Sequence, residues 1–110
     1  MPSTYKILGQ AAPSSTANAD LYTVPAATSL VGSTLAIVNT TALTATARVF
    51  IRKAGATAAT LNALVYDTVF QPNSTTTLTI GLTMAATDVV TVQTGTANAL
   101  TFQLFGCELT

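Results

Sequence analysis

The feature that most constrains the fold of this chain is an alternation of apolar and polar residues with a period of two. Between residues 44 and 53, Val49 and Ile51 alternate with Arg48 and Arg52. Successive side chains of a β-strand point to opposite faces, so this spacing predicts strands with one buried face. Threonine supplies 23 of the 110 residues. Thr, Val and Ile favour strands because their branched side chains fit a pleated surface.

The same pattern predicts eight strands separated by turn residues such as the Gln71-Pro72-Asn73-Ser74 segment. We expect an irregular or extended arm at residues 10–19 and a bulge or bend at Gly32. Two alanine- or leucine-containing segments, 57–64 and 82–88, also suit a helix but are too short to favour one. The predicted strands cover residues 4–9, 20–24, 29–39, 44–53, 61–70, 75–81, 89–94 and 99–109.

Short strands at regular spacing with turn signals between them are typical of an antiparallel sandwich or barrel. A chain of 110 residues has the length of one domain. We therefore predict an all-β fold in which residues 1–110 form a single antiparallel β-sandwich or barrel-like domain of about eight short strands.

The low charge of the chain excludes several classes of partner. Only 7% of the residues are charged, against about 25% in an average soluble domain, and four basic residues balance four acidic ones. A nucleic-acid-binding protein needs a basic patch, which this balance does not supply. Polar residues interrupt every apolar run after a few positions, so no membrane-spanning helix is expected. The N-terminal residues lack the basic start and apolar stretch of a signal peptide.

The residues that usually carry out catalysis are scarce. Histidine is absent, and the single cysteine, Cys107, lies in an apolar segment that predicts a buried side chain. The six glycines are scattered singly, unlike those of a phosphate-binding loop, and the four acidic residues are far apart in sequence. We predict no catalytic residue, no metal or cofactor site and no small-molecule substrate, and hence a protein that is not an enzyme.

Three of the acidic residues have structural interpretations. Asp20 begins one predicted strand and Asp88 directly precedes another, and at such a strand start Asp commonly closes a turn on its own backbone. Asp67 lies inside a predicted strand, where it is expected to pair with Arg48 or Arg52 across the sheet.

The candidate contact residues for a partner are Arg48, Phe50 and Arg52, which share one face of the fourth predicted strand. Arginine and aromatic side chains are enriched at interfaces, because a guanidinium grips carboxylates and stacks on rings. The alternative is a solvent-facing surface that these few charges keep soluble. A weakly charged surface also resists self-association poorly, so we expect the protein to spend most of its life assembled with other protein.

Six segments, in chain order, carry a resemblance: YKILGQ (5–10), DLYTVPA (20–26), STLAIVN (33–39), RVFIR (48–52), DVVTV (88–92) and FGCELT (105–110). They resemble small all-β virion structural proteins of tailed bacteriophages, including phages of cyanobacteria. The resemblance implies a capsid decoration (cement) protein that binds the major capsid protein and copies of itself, as trimers on the outer shell. Such a protein is located in the virion and is assembled in the cytoplasm of the bacterial host. Residues 10–19 would suit contact with a neighbouring subunit.

Two other functions remain open at this point. Similar small β-proteins serve in phage tails, necks, baseplates and fibres, so a tail or baseplate accessory subunit is the first alternative. The second is a carbohydrate- or host-receptor-binding module. Sugar sites usually present an aromatic platform, but Trp is absent and the tyrosines are Tyr5, Tyr22 and Tyr66.

Overall fold

Eight strands form two four-stranded antiparallel sheets that pack face to face, in a computed structural model that describes residues 3–110. Sheet 1 has the strand order β1-β8-β3-β6 and sheet 2 the order β2-β7-β4-β5. The strands are β1 (Ser3–Ala11), β2 (Ala19–Thr23), β3 (Ser29–Asn39), β4 (Ala45–Arg52), β5 (Ala63–Phe70), β6 (Ser74–Met84), β7 (Val89–Thr94) and β8 (Leu100–Leu109). The all-β prediction is confirmed, and of the two predicted architectures the sandwich is the one that forms.

The predicted strand bounds agree with the structure to within three residues at every strand end. The bounds of β3 and β7 are the predicted ones, whereas β6 continues to Met84 and β5 begins only at Ala63. Single 3-10 turns at Lys53–Gly55 and Thr60–Asn62 occupy most of the connection before β5. Residues 57–62 of the alanine-rich segment 57–64 are therefore a loop with one short turn, and residues 63 and 64 begin β5, since the segment has too few residues to nucleate a stable helix.

The core lies between the two sheets and is built from the inward-facing residues of the central strands. Ile37, Val49, Val92 and Phe102 are fully buried. Burial of an aliphatic or aromatic side chain of this kind contributes about 1.5–3 kcal/mol. Leu100, Phe102 and Leu104 share the inner face of β8, as predicted.

Irregular pairing is concentrated at a few positions. The register of β3 shifts between Gly32 and Thr34 against both of its neighbours, so the predicted bulge is present.

A Cβ atom on Gly9 would overlap the Leu21 carbonyl oxygen, because β1 crosses β2 at this point. Glycine at position 9 thus lets the two sheets approach each other along the β1 and β2 edges.

The two long sides of the sandwich differ. On one side β1 packs against β2, and the Tyr22 hydroxyl of sheet 2 donates a hydrogen bond to Glu108 of sheet 1. On the other side lies β6, whose inward row of Thr76, Leu78, Ile80 and Leu82 is only half-buried. The sandwich is therefore more open along β6 than along β1.

The predicted arm at residues 10–19 is shorter in the structure. Gln10 and Ala11 belong to β1 and Ala19 begins β2, which leaves residues 12–18 as the loop between the sheets. This loop contacts its own domain: Gln93 Nε2 donates to the Thr16 carbonyl over 2.8 Å, and the Asn98 amide donates to the Pro13 carbonyl over 3.0 Å. Among residues 3–110, no helix is long and apolar enough to cross a membrane.

Candidate functional site

Arg48, Phe50 and Arg52 lie on the outer face of sheet 2, on one side of β4 as predicted. Phe50 is only 4% exposed, and residues 58–60 line a hollow beside it. Its ring meets that of Tyr66 edge-on, with centroids 6.5 Å apart and an interplanar angle of 80°. Phe50 is therefore packed within its own domain.

Arg48 is held by a neighbouring carboxylate and a ring. Its Nε and Nη2 atoms donate to the two Asp67 oxygens over 2.7 and 3.0 Å, which confirms the predicted cross-strand pair. The guanidinium also lies 4.2 Å from the centroid of the Tyr66 ring. The hydrogen bonds from Arg48 hold the pKa of the Asp67 carboxyl below its usual range, and the same bonds raise the pKa of Arg48.

A bulge in β5 aims Asp67 at Arg48. Pairing with β4 shifts between Thr68 and Tyr66, and Asp67, the extra residue, has a φ of 52°. Asp tolerates this left-handed conformation better than most residues. The pair thus depends on a local irregularity that the sequence pattern does not reveal.

Arg52 is held by four acceptors. Nη1 donates to the Asp20 carboxylate and to the Thr91 hydroxyl, both over 3.1 Å. Nε and Nη2 donate to the carbonyls of Ala56 and Gly55 over 2.6 and 3.0 Å. Arg52 therefore fastens the loop after β4 to the outer face of sheet 2.

The turn interpretation is wrong for Asp20 and confirmed for Asp88. Asp20 lies within β2 opposite Thr91, where its carboxylate pairs with a side chain of the same sheet instead of closing a turn. Asp88 accepts the Ala85 amide over 2.9 Å and the Ala54 amide over 2.8 Å. Asp88 lies in the turn before β7, whereas Asp20 is a paired residue of β2.

Beside Arg48 lies a shallow hollow of about 240 Å³ that is lined by Thr16, Thr46, Asp67 and Gln93 among others. Its groups can form hydrogen bonds with a polar ligand, but its charges already neutralise each other. A partner contact at Arg48, Phe50 and Arg52 stays a prediction. In this structure all three side chains serve the packing of their own sheet.

The outer face of sheet 1 differs from that of sheet 2 in its side chains. Register places Tyr5, Cys107, Val31 and Thr83 side by side across the four strands. Tyr5 is 83% exposed and Val31 is 42% exposed, whereas Cys107 is buried as predicted. This row carries no charged side chain.

The next rows of the same face continue the pattern. The row formed by Ile7, Phe105, Thr34 and Thr79 is followed by one that contains Gln10 and Gln103, whose side chains are hydrogen-bonded over 3.2 Å. We call the outward-facing residues of sheet 1 the uncharged face. Its members are Tyr5, Ile7, Gln10, Val31, Thr34, Ala36, Val38, Thr75, Thr77, Thr79, Thr83, Thr101, Gln103, Phe105 and Cys107.

Sequence reasoning missed the uncharged face as a unit. Tyr5 and Ile7 in β1, Phe105 in β8 and Val31 in β3 do show the required alternation. They are far apart in the chain, however, and only the pairing of β1 with β8 and of β8 with β3 brings them together. The sequence therefore shows which residues of each strand share a face, but not which strands lie next to each other.

The charged residues of sheet 1 lie on the opposite, inward side. Lys6 Nζ is 2.7 Å from a Glu108 oxygen, and the Tyr22 hydroxyl donates to the same carboxylate. These bonds lower the pKa of Glu108, the one from Lys6 most strongly, while burial and the bond to Glu108 raise the pKa of Tyr22. The cluster joins the two sheets at the β1 and β2 side.

No group of three or more potential metal ligands occurs among residues 3–110. In comparisons with protein-family models, curated proteins and solved structures, none matched the chain.

Proposed function

We propose that this protein is a capsid decoration protein of a tailed phage, a structural subunit that binds the assembled head shell. The observation that supports the proposal is the uncharged face, a sheet surface of threonine, glutamine and exposed apolar side chains. Charged residues are depleted at the centres of protein interfaces because removing them from water is costly. A sheet face without charges suits burial against other protein.

Decoration requires surface and repetition instead of an active site. A subunit that binds the assembled shell, but not its loose components, stabilises the shell by mass action. Each copy adds to this stabilisation, and the symmetry of the shell repeats the contact many times. Two exposed apolar residues that lie in one row of the uncharged face, Tyr5 and Val31, are the anchors that such a contact would use.

Copy number in purified virions tests the proposal directly. A decoration protein is expected on the order of hundreds of copies per particle, because a shell repeats each site by its symmetry. Quantitative mass spectrometry against the major capsid protein measures the ratio. A count of only a few copies would contradict the decoration function and favour the tail, neck or baseplate alternative.

Two exposed valines provide a matched pair of variants for the contact surface. Val31 lies on the uncharged face, whereas Val69 is 55% exposed on β5 opposite Thr46, on the outer face of sheet 2. We expect Val31→Lys to weaken binding to shells that lack the protein by about tenfold or more, because the ammonium loses water without gaining a partner. Val69→Lys is expected to bind like the wild type in co-sedimentation.

The reverse result would assign the shell contact to the other sheet. If Val69→Lys abolished binding and Val31→Lys did not, the outer face of sheet 2 with Arg48, Phe50 and Arg52 would be the partner surface. Circular dichroism of both variants controls for folding. Glycan binding by the isolated domain would instead support the receptor-binding alternative.

A further inference from the structure

The first six residues of the edge strand β6, Ser74–Thr79, lack the features that normally keep a sheet edge from pairing with another chain. An edge strand presents unpaired amide and carbonyl groups, and proteins usually protect it with charges, proline, bulges or short length. β6 is 11 residues long and contains neither proline nor a charged residue. Six consecutive residues, Ser74–Thr79, pair regularly with β3, and the register shifts only beyond Thr79.

The other three described edges are protected. β1 carries Lys6 and a register shift after Ile7, and β2 has five residues with Asp20 at its own shift. β5 has register shifts at two places and carries Asp67 in one of them. The regular, uncharged segment of β6 is thus an exception within the same molecule.

The side chains of β6 are also sorted by face. Thr75, Thr77 and Thr79 are exposed on the outer side, whereas Thr76, Leu78, Ile80 and Leu82 on the inner side are half-buried. The inner row contributes Leu78 and Leu82 to the margin of the core, but no strand of the same sheet lies beyond it. One further strand next to β6 would cover these aliphatic side chains.

We propose that β6 pairs antiparallel with β6 of a second copy, so that two copies share one continuous eight-stranded sheet. A two-fold interface must be self-complementary, since each residue meets the same strand. With the axis at Thr77, that residue faces its own counterpart and Thr75 faces Thr79 of the second copy. On the inner side Thr76 faces Leu78.

Self-pairing fits β6 because nothing on the strand repels its own copy. A charged residue near a two-fold axis lies beside the same charge of the second copy, which is unfavourable in a cross-strand pair. β6 has no charge, and its outer positions give threonine–threonine pairs of the kind that stabilise antiparallel sheets. The pair closes on itself, so it also uses up the edge without propagating into a fibre.

The pairing has a consequence for the uncharged face. Directly opposed residues of antiparallel strands point to the same side of a sheet, so both copies would present their uncharged faces in the same direction. One dimer would then offer twice the surface to a shell, and two linked contacts bind more tightly than one. This consequence rests on the proposed function, whereas the pairing itself does not.

Sedimentation equilibrium of the isolated protein tests the pairing. The wild type is expected at twice the 11.2 kDa chain mass. Thr77→Lys and Thr77→Glu are each expected to weaken the dimer by about tenfold or more, because like charges meet at the axis. An equimolar mixture of the two variants is expected to restore the dimer, since Lys then faces Glu.

The matched control is Thr68→Lys, which places the same charge at an exposed threonine of β5, an edge of the other sheet. It is expected to leave the dimer intact. A monomeric or trimeric wild type, a Thr77→Lys variant that still dimerises, or a variant mixture that stays monomeric would each overturn the proposal.

Hydrogen exchange of the wild type provides a second measurement that needs no variant. Amide protection of residues 74–79 is expected to rise with protein concentration, and protection that is independent of concentration would contradict the pairing. The outcomes also separate the two proposals. A dimer with few copies per virion would refute only the decoration function, and a monomer with many copies would refute only the pairing.

Discussion

The outer faces of the two sheets differ in the charged side chains that they carry. Sheet 2 carries Arg48, Arg52, Asp20 and Asp67 on its outer face, arranged as two ion pairs. The outer face of sheet 1 has no charge among its described residues, and its charged residues, Lys6 and Glu108, pair on the inward side. The scarcity of charge is therefore a property of one face more than of the whole surface.

Under the proposed function, the outer face of sheet 2 stays in water and the uncharged face contacts other protein. The ion pairs of sheet 2 join strands of the same sheet and remain partly hydrated, as surface pairs usually do. The uncharged face loses little by leaving water, and it exposes Tyr5, Ile7 and Val31. Three pairs of substitutions test this comparison through the stability of the folded protein.

The largest effect is expected for two phenylalanines that lie on the outer faces of the two sheets. Phe50 is buried, whereas Phe105 on the uncharged face is only partly buried. We expect Phe50→Ala to lower the free energy of unfolding by about 3 kcal/mol and Phe105→Ala by about 1 kcal/mol. Urea denaturation of both variants measures the difference. Equal losses would mean that the two faces do not differ in packing.

A smaller effect is expected at Arg52, which joins the loop after β4 to β2 and β7. We expect Arg52→Ala to cost about 2 kcal/mol, because several hydrogen bonds to a charged group are lost together. Arg52→Lys should restore little, since an ammonium cannot reach Asp20 and the carbonyls of Gly55 and Ala56 at once. Full recovery with lysine in urea denaturation would show that charge alone is sufficient.

The smallest effect is a pH dependence of stability that originates in Glu108 and its partners Lys6 and Tyr22, between the two sheets. The pKa of Glu108 is lowered in the folded state, so its contribution is present above the usual glutamate pKa and is lost as pH falls below it. The pKa of Tyr22 is raised, so stability also declines above about pH 10, where the unfolded chain releases its phenolic proton.

Thermal unfolding across pH checks both limits. Glu108→Gln should flatten the acid side of the profile, and Tyr22→Phe should flatten the alkaline side. Acid sensitivity that is unchanged in Glu108→Gln would assign it to other carboxylates, such as Asp67, whose pKa is also lowered by its ion pair.

The predictions for single residues were confirmed where the environment of the residue depends on its neighbours in the chain. Cys107 is buried in its apolar segment, Gly32 marks a bulge, and Asp88 closes a turn on the Ala85 amide three residues before it. Asp20 failed because its partners, Thr91 and Arg52, are distant in sequence. Its position before an apolar run resembles that of Asp88, and only pairing distinguishes them.

The sequence by itself determined the strands, since alternation with a period of two and branched side chains act within a few residues. It also determined that few charges were available for any surface. The tertiary structure decided where those charges lie, that Phe50 is covered, and that β1, β8 and β3 join their apolar rows into the uncharged face. Such choices depend on strand order and register, which arise from contacts between residues distant in the chain.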